Sequence, residues 1–249
     1  QRTIAISKYI ASEITKRHPI NPKQLSIIPR GVDTEYFNRK TVAEERINKL
    51  ITNWEIPKNT PVIMLPGRVS RWKGHELLIE SLVKLKDQLF FCVIVGPFNG
   101  KEKFKRKIEY LIRANGLCSK VKFVGDCYDM AAAYSVADIV ISASLDPEPF
   151  GRTIIEAQAM GNLVLASNHG GAVESIVEGK TGWLFEPRNS AALSDSLKNA
   201  LSLTKQKQST ISSNAQKHIK EKFSAQLMCM RTLSVYSEIL NFRLIRKNN

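Results

Sequence analysis

Long apolar runs are missing from this chain, and no segment approaches the roughly 18 consecutive apolar residues that cross a bilayer as a helix. A membrane-spanning helix is therefore excluded. Cysteine is sparse and scattered: Cys92, Cys118, Cys127 and Cys229 show no CxxC spacing, which argues against a zinc module or a thiol redox motif and fits a reduced, cytosolic compartment. Cys92 sits in the apolar run FFCVIVG and is expected to be buried. Acidic residues are the scarcer charge, 23 against 37 Lys and Arg, leaving +14. Such an excess suits nucleic acid, an anionic membrane surface or an anionic substrate, and does not choose among them. The interleaving of aromatics with basic residues that marks single-strand binders is absent from KEKFKRKIEYLIR (101–113), where Phe104, Ile108, Leu111 and Ile112 share one helical stripe. That segment reads as an amphipathic helix with a basic outer face, and nucleic acid is not an expected partner. There is no signal-peptide pattern, no internal repeat and no low-complexity tract. The first residue is Gln1, and QRTIAISKYIAS resembles a strand end running into a helix, so the chain is expected to be a fragment whose N-terminal part is missing.

What is present is an alternation. From residue 61, apolar β-branched runs (PVIMLPG, FFCVIVG, KVKFVGD, DIVISAS, NLVLAS, TGWLFEP) alternate with helical patterns, including GHELLIESLVKLKD, YDMAAAYSVA, GAVESIVEG and SAALSDSLKNAL. Strands that look buried on both faces, each followed by a helix about 10–15 residues long, predict a doubly wound α/β domain with a parallel sheet of about six strands. Ligands of such sheets bind at the carboxyl ends of the strands. Gly67-Arg68, Gly96-Pro97, Gly125-Asp126 and the segment Glu148 to Gly151 fall at those ends. Two further helical patterns, 205–222 and 224–243, carry Leu227, Met230, Leu233, Tyr236 and Leu240 at helical spacing without a domain of their own.

The stretch GRVSRWKG (67–74) brings Arg68 and Lys73 to a strand-end loop just before a helix, a combination suited to a diphosphate. It is not GxxxxGK[ST], since His75 follows Gly74, and no GxGxxG occurs, so the dinucleotide-cofactor reading is weak. In EPFGRTIIEAQAMG (148–161), Pro147 and Pro149 hold Glu148 extended, Gly151 permits close backbone approach, and a helix is expected to begin at about Gly151 to Thr153. Glu156 then falls on the first or second turn, where the helix dipole is positive and a carboxylate can accept two hydroxyl hydrogen bonds, as from a ribose. On its own it reads equally well as an acid stabilising its helix. Together with Arg68 and Lys73, the two glutamates describe a site for a sugar nucleotide.

GRVSRWKG, VGP (95–97), FVGD (123–126), EPFGRTIIEAQAMG and HGGAVESIVEGKTGWLFEP occur in order. With them the chain resembles the C-terminal donor-binding domain of the GT-B glycosyltransferases of family 4, a Rossmann-like fold whose signature is a pair of glutamates separated by seven residues. The resemblance covers about residues 3–205. It implies that Arg68 and Lys73 neutralise the donor diphosphate, that Glu148 contacts a hydroxyl of the transferred sugar, and that backbone N–H groups near Phe150 and Gly151 hold that sugar. Glu156 would bind the ribose, and Gly67, Gly96, Gly125, Asp126 and Arg152 would complete the donor surface. Transfer would proceed with retention and without a metal, consistent with the absence of a DxD motif, and Glu148 would position rather than form a covalent intermediate. Leu163 stands where proline is frequent in the family and Arg30 where asparagine is frequent.

The resemblance also implies a division of the chain: 1–24 as the tail end of an N-terminal acceptor domain, 25–57 as an interdomain connection, 58–203 as the nucleotide-sugar domain, and 204–249 as helices packing back toward the N-terminal domain. The wording of the glutamate segment followed by NHGGAVESI is similar to bacterial lipopolysaccharide-core mannosyltransferases. That implies GDP-mannose as donor, no further cofactor, and a lipid-linked saccharide acceptor. The enzyme would then sit in the cytoplasm, peripheral to the cytoplasmic face of the inner membrane, and the basic charge suits contact with anionic lipid. A UDP-sugar donor with a different acceptor, or a nucleotide-sugar binding domain inactive in isolation, stands as the alternative.

Overall fold

The computed structural model describes residues 2–247, so that Gln1, Asn248 and Asn249 of the expected terminal segments lie outside the described residues. The chain opens with β1 (Thr3–Ala5), α1 (Lys8–Arg17), β2 (Leu25–Ile27) and α2 (Glu44–Asn53), with β1 and β2 paired in parallel. It continues through β3 (Val62–Pro66), α3 (His75–Val83), β4 (Phe91–Val95), α4 (Glu102–Ala114), β5 (Val121–Gly125), α5 (Met130–Val136) and β6 (Ile139–Ser142). Then come α6 (Arg152–Met160), β7 (Leu163–Ser167), β8 (Trp183–Phe185), α7 (Ser190–Leu201), α8 (Lys205–Lys222) and α9 (Ala225–Lys247).

Strands β3 to β8 form one parallel six-stranded sheet in the order β5-β4-β3-β6-β7-β8. Every residue of β3, β4, β6 and β7 is buried, as the unbroken apolar runs require of strands covered on both faces. Because successive side chains point to opposite faces, Ile63 and Leu65 pack toward α3, α4 and α7, while Val62 and Met64 pack toward α2, α5 and α6. Ile63, Met64 and Leu65, each 1% exposed or less, contribute about 1.5–3 kcal/mol apiece through burial. The strand order reverses between β3 and β6. That is the topological switch point, the place where the loops leaving two neighbouring strands diverge and open a crevice.

The helices are shorter than expected in places: α3 and α6 have 9 residues and α5 has 7. The helix expected after β7 is instead a six-residue 3-10 turn, Gly170–Ser175. Its two leading glycines explain this, since a Cβ on Gly170 would lie 2.6 Å from the Glu148 carbonyl oxygen and one on Gly171 would overlap the backbone of Pro149. Tight apposition to the 147–150 loop takes precedence over the helical pattern.

Helix α8 buries Ile211, Ala215 and Ile219, and Ile219 joins Val32, Phe150, Ile155, Ala159 and Phe223 in a small third core against α6. Val32 threads the α8–α9 junction, donating to Phe223 and accepting from Ala225, both at 2.8 Å. On α9, Met230, Leu233, Tyr236 and Leu240 are exposed. On α4, Ile108 and Ile112 are buried while Lys103, Arg106, Lys107 and Arg113 face outward, so the amphipathic reading of 101–113 holds. Among the described residues no helix is long and apolar enough to cross a membrane.

Candidate active site

The chemistry-bearing loops meet at the switch point. After β3, Gly67 adopts φ 141° and is followed by the exposed Arg68, a 3-10 turn Arg71–Lys73, and Gly74 in the left-handed region at φ 74°. Gly74 is doubly required, because a Cβ there would overlap the Ala143 carbonyl oxygen at the end of β6. The two loops are stitched by Leu145 N–H donating to the Trp72 carbonyl at 2.7 Å. Lys73 then crosses the switch point, its Nζ 4.3 Å from the Trp72 ring centroid and 2.6 Å from Glu148 Oε1. His75, the first residue of α3, is fully buried with Nδ1 3.1 Å from the Ser70 carbonyl, and burial pushes its imidazole down to about 4.

Glu148 is 5% exposed. Its Oε1 accepts from Lys73, from Ser142 Oγ at 3.4 Å and, by a short bond, from Ser144 Oγ. Among the described residues Oε2 has no hydrogen-bond donor, which leaves it as the open acceptor of the carboxylate. The backbone is held as well: Gly171 N–H donates to the Glu148 carbonyl at 2.7 Å, and His169 Nε2–H donates to the Ser144 carbonyl at 2.8 Å. A cavity of about 330 Å³ opens here, lined by Lys73, Glu148, Phe150, Gly151 and Arg152 together with Arg30 and Ile6. Gly151, at φ 93°, starts α6, whose first turn presents free N–H groups and a positive potential on that side.

Glu156 lies on the second turn of α6, buried to 9% exposure and outside the lining of that cavity. Tyr134 Oη donates to its Oε2 at 3.0 Å, and Arg152 Nη2 approaches its Oε1 at 3.3 Å. Burial pushes the Glu156 carboxyl up, opposed in part by the Tyr134 hydroxyl and by Arg152. The Tyr134 phenol is raised in turn, by burial first and then by the Glu156 charge.

Gly67, Gly96 and Gly125 form a ladder across three adjacent strand ends: Gly67 N–H donates to Val95 and Gly96 N–H to Gly125, both at 2.8 Å. A Cβ on Gly96 would overlap the Gly67 carbonyl, so this glycine is needed for packing between strand ends. Asp126, just beyond, is exposed. The structure thus brings Lys73, Glu148, Phe150, Gly151 and Arg152 around one cavity, sets Glu156 behind Arg152, and leaves Arg68 without an ion pair among the described residues. Sequence reasoning missed Ser142, Ser144, Tyr134 and His169. The small polar residues closing DIVISAS were a usable signal for the two serines, and the lone large side chain in MAAAYSV was one for Tyr134.

Residues 46–218 match the family described as "Glycosyl transferases group 1". The chain is 26% identical over 197 residues to a D-inositol 3-phosphate glycosyltransferase of Corynebacterium diphtheriae, an alignment covering 76% of this chain and 45% of that protein. It therefore spans about half the length of the curated relatives it matches. A glycosyltransferase of Rickettsia africae superposes with TM-score 0.94 at 36% identity, covering 96% of this chain and 64% of that one. The Anabaena protein HepE, solved with UDP and glucose, superposes with TM-score 0.86 at 28% identity, covering 95% and 62%. With more than half its length inside the family match, on a Rossmann-like domain of GT-B architecture, the chain belongs to the group 1 glycosyl transferases.

Proposed function

We propose that this chain is the donor-binding part of a retaining, metal-independent hexosyltransferase acting on a lipid-linked saccharide. The observation that carries the reading is the Lys73–Glu148 pair standing across the switch point beside a cavity closed by the first turn of α6. In this reading Arg68 and Lys73 neutralise the donor diphosphate, and the N–H groups of Phe150 and Gly151 hold the sugar. Glu148 Oε2 accepts a sugar hydroxyl, Glu156 accepts the ribose hydroxyls, and Arg152 lies between them. Gly67, Gly96, Gly125 and Asp126 form the floor toward the base. The bond from the anomeric carbon to the diphosphate breaks with its electron pair leaving on the phosphate oxygen. The acceptor hydroxyl oxygen bonds to that carbon on the same face, and its proton passes to the departing phosphate. Glu148 positions and balances charge; with Oε1 already taken by Lys73, Ser142 and Ser144, it is restrained against covalent attack.

Two donor readings follow from different observations. The segment EPFGRTIIEAQAMG with NHGGAVESI favours GDP-mannose and a lipopolysaccharide-core acceptor. The Anabaena neighbour solved with UDP-glucose favours a UDP-sugar. In both, residues 1–24 end an acceptor domain, 25–57 connect, 58–203 bind the donor, and 204–249 pack back on the acceptor half, a role supported by the exposed apolar side chains of α9. The outer face of α4, with Lys103, Arg106, Lys107 and Arg113 around the exposed Tyr110, is suited to anionic lipid of the bacterial inner membrane's cytoplasmic leaflet, at roughly 1 kcal/mol per basic residue near the surface.

Calorimetric titration with GDP, UDP, ADP, GDP-mannose and UDP-glucose, repeated in EDTA, tests this. EDTA-resistant binding of a sugar nucleotide tighter than its bare diphosphate is expected, and the preferred base decides between the donors. Binding to none of them, or only with a divalent metal, overturns the reading.

A further inference from the structure

The first turn of α1 is fastened to the loops that hold Glu148. Ser7, fully buried, caps that helix by accepting from Ile10 N–H at 3.0 Å, and its hydroxyl donates to the Pro149 carbonyl at 2.6 Å. The next two N–H groups, those of Lys8 and Tyr9, donate to the two carboxylate oxygens of Glu174, both at 2.9 Å. Three of the four otherwise orphaned donors of the helix start are thereby taken up by groups tied to the glutamate loop.

Glu174 belongs to the 3-10 turn whose Gly171 N–H donates to the Glu148 carbonyl. Pro149 is the residue after Glu148. Two hydrogen-bonded routes from one helix end thus converge on the backbone that carries this carboxylate, one through Ser7 and Pro149, the other through Glu174 and Gly171. The glycine pair leaves no slack on the second route, because a Cβ on either glycine meets the backbone of residues 147–150. Two charge-assisted bonds to helix N–H groups are individually among the stronger protein hydrogen bonds. The joint is also long-range: Ser7 and Pro149 lie 142 positions apart, and Lys8 and Glu174 lie 166 apart.

We propose that Ser7 and Glu174 are positioning residues for Glu148, through which the β1–α1–β2 unit sets the placement of the carboxylate that meets the donor sugar. The proposal rests on the donor-site reading above. Neither residue touches the cavity lined by Lys73 and Glu148. Their effect is therefore transmitted: if the β1–α1–β2 unit swings away, the Ser7 hydroxyl that donates to Pro149 and the N–H groups that donate to Glu174 leave with it. The loop then loses the contacts that hold it, and the sugar position loosens while the diphosphate cations on the 67–74 loop stay where they are.

The test uses the full-length protein as Ser7→Ala, Glu174→Ala and Glu174→Gln, each also combined with Glu148→Gln. Calorimetry compares UDP with UDP-glucose and GDP with GDP-mannose, and thermal melting shows that each variant is folded. The expected result is a loss of about 3- to 10-fold in the advantage of the sugar nucleotide over its bare diphosphate, with affinity for the diphosphate unchanged within about 2-fold. Glu174→Gln, which keeps one acceptor oxygen, falls between parent and alanine. In the Glu148→Gln background the further loss disappears, because the contact being positioned is already gone. Equal weakening of diphosphate and sugar nucleotide, or losses that add fully to that of Glu148→Gln, overturns the proposal. If Glu148→Gln itself leaves the sugar advantage intact, the donor-site reading falls and this inference with it; if Glu148→Gln costs affinity and Ser7→Ala and Glu174→Ala do not, this inference alone falls.

Discussion

Glu148 and Glu156 belong to one segment and are the same residue type, yet the fold places them in opposite electrostatic situations. Glu148, on a strand-end loop, meets a half-buried ammonium at 2.6 Å and two serine hydroxyls, so its charge is matched before any ligand arrives. Glu156, on a helix turn, meets a neutral phenol and an arginine whose side chain is 74% exposed, and burial raises its carboxyl. The difference teaches which one is poised for what. In the proposed donor site, a balanced carboxylate would serve as a fixed structural charge beside the sugar. An underbalanced one gains most from two neutral hydroxyl donors, which is what a ribose offers.

The largest effect comes from breaking the balance at Glu148. Lys73→Ala leaves a buried carboxylate without its counterion and is expected to cost about 3–5 kcal/mol of stability in urea unfolding. The double replacement Lys73→Met with Glu148→Gln should recover most of it, since the uncompensated charge is then absent. A loss below about 1 kcal/mol for Lys73→Ala would erase the contrast between the two sites. Next comes Glu156→Gln, expected to weaken sugar-nucleotide binding by about 1–3 kcal/mol in calorimetry. Its stability effect has the other sign. A carboxyl raised in the folded state holds its proton more tightly there than in the unfolded chain, so the associated stability is complete below the ordinary carboxylate range and is lost as pH rises through the folded value. The Tm of Glu156→Gln minus that of the parent should therefore climb as pH rises above the ordinary carboxylate range. His75, pushed down to about 4, destabilises both proteins as pH falls and cancels in that difference. A flat or falling difference would show that Glu156 is as well balanced as Glu148.

Part of this contrast was legible from the sequence and part was not, for physical reasons. The sheet was readable because each of its central strands is apolar on both faces, and the alternation with helices fixes parallel pairing. The meeting of Lys73 and Glu148 was readable because both follow strands flanking the point where strand order reverses. The turn after β7 was misread as a helix because its residues have helical spacing, and only the approach of the 147–150 loop reveals that Gly170 and Gly171 are there for contact. The environment of Glu156 was invisible. Its hydroxyl partner Tyr134 comes from a different helix 22 residues away, and a single chain offers no local pattern that joins them.

Tyr134→Phe sharpens the comparison from that side. It removes a hydroxyl from a fully buried ring while preserving shape, and should cost about 1 kcal/mol, with the Glu156 carboxyl moving further up as it loses a donor. Urea unfolding checks the stability, and the pH dependence of the Glu156→Gln difference, repeated in the Tyr134→Phe background, checks the direction. The smallest effect belongs to Arg152→Ala. At 3.3 Å and largely in solvent, this ion pair should contribute less than about 0.5 kcal/mol to folding. Arg152 nevertheless lines the cavity that Lys73 and Glu148 share, so a near-silent stability change accompanied by weaker binding of the bare diphosphate would assign it to the ligand rather than to Glu156. If stability falls by as much as in Lys73→Ala, Arg152 is the counterion of Glu156, and the two carboxylates differ in the exposure of their partners rather than in their balance.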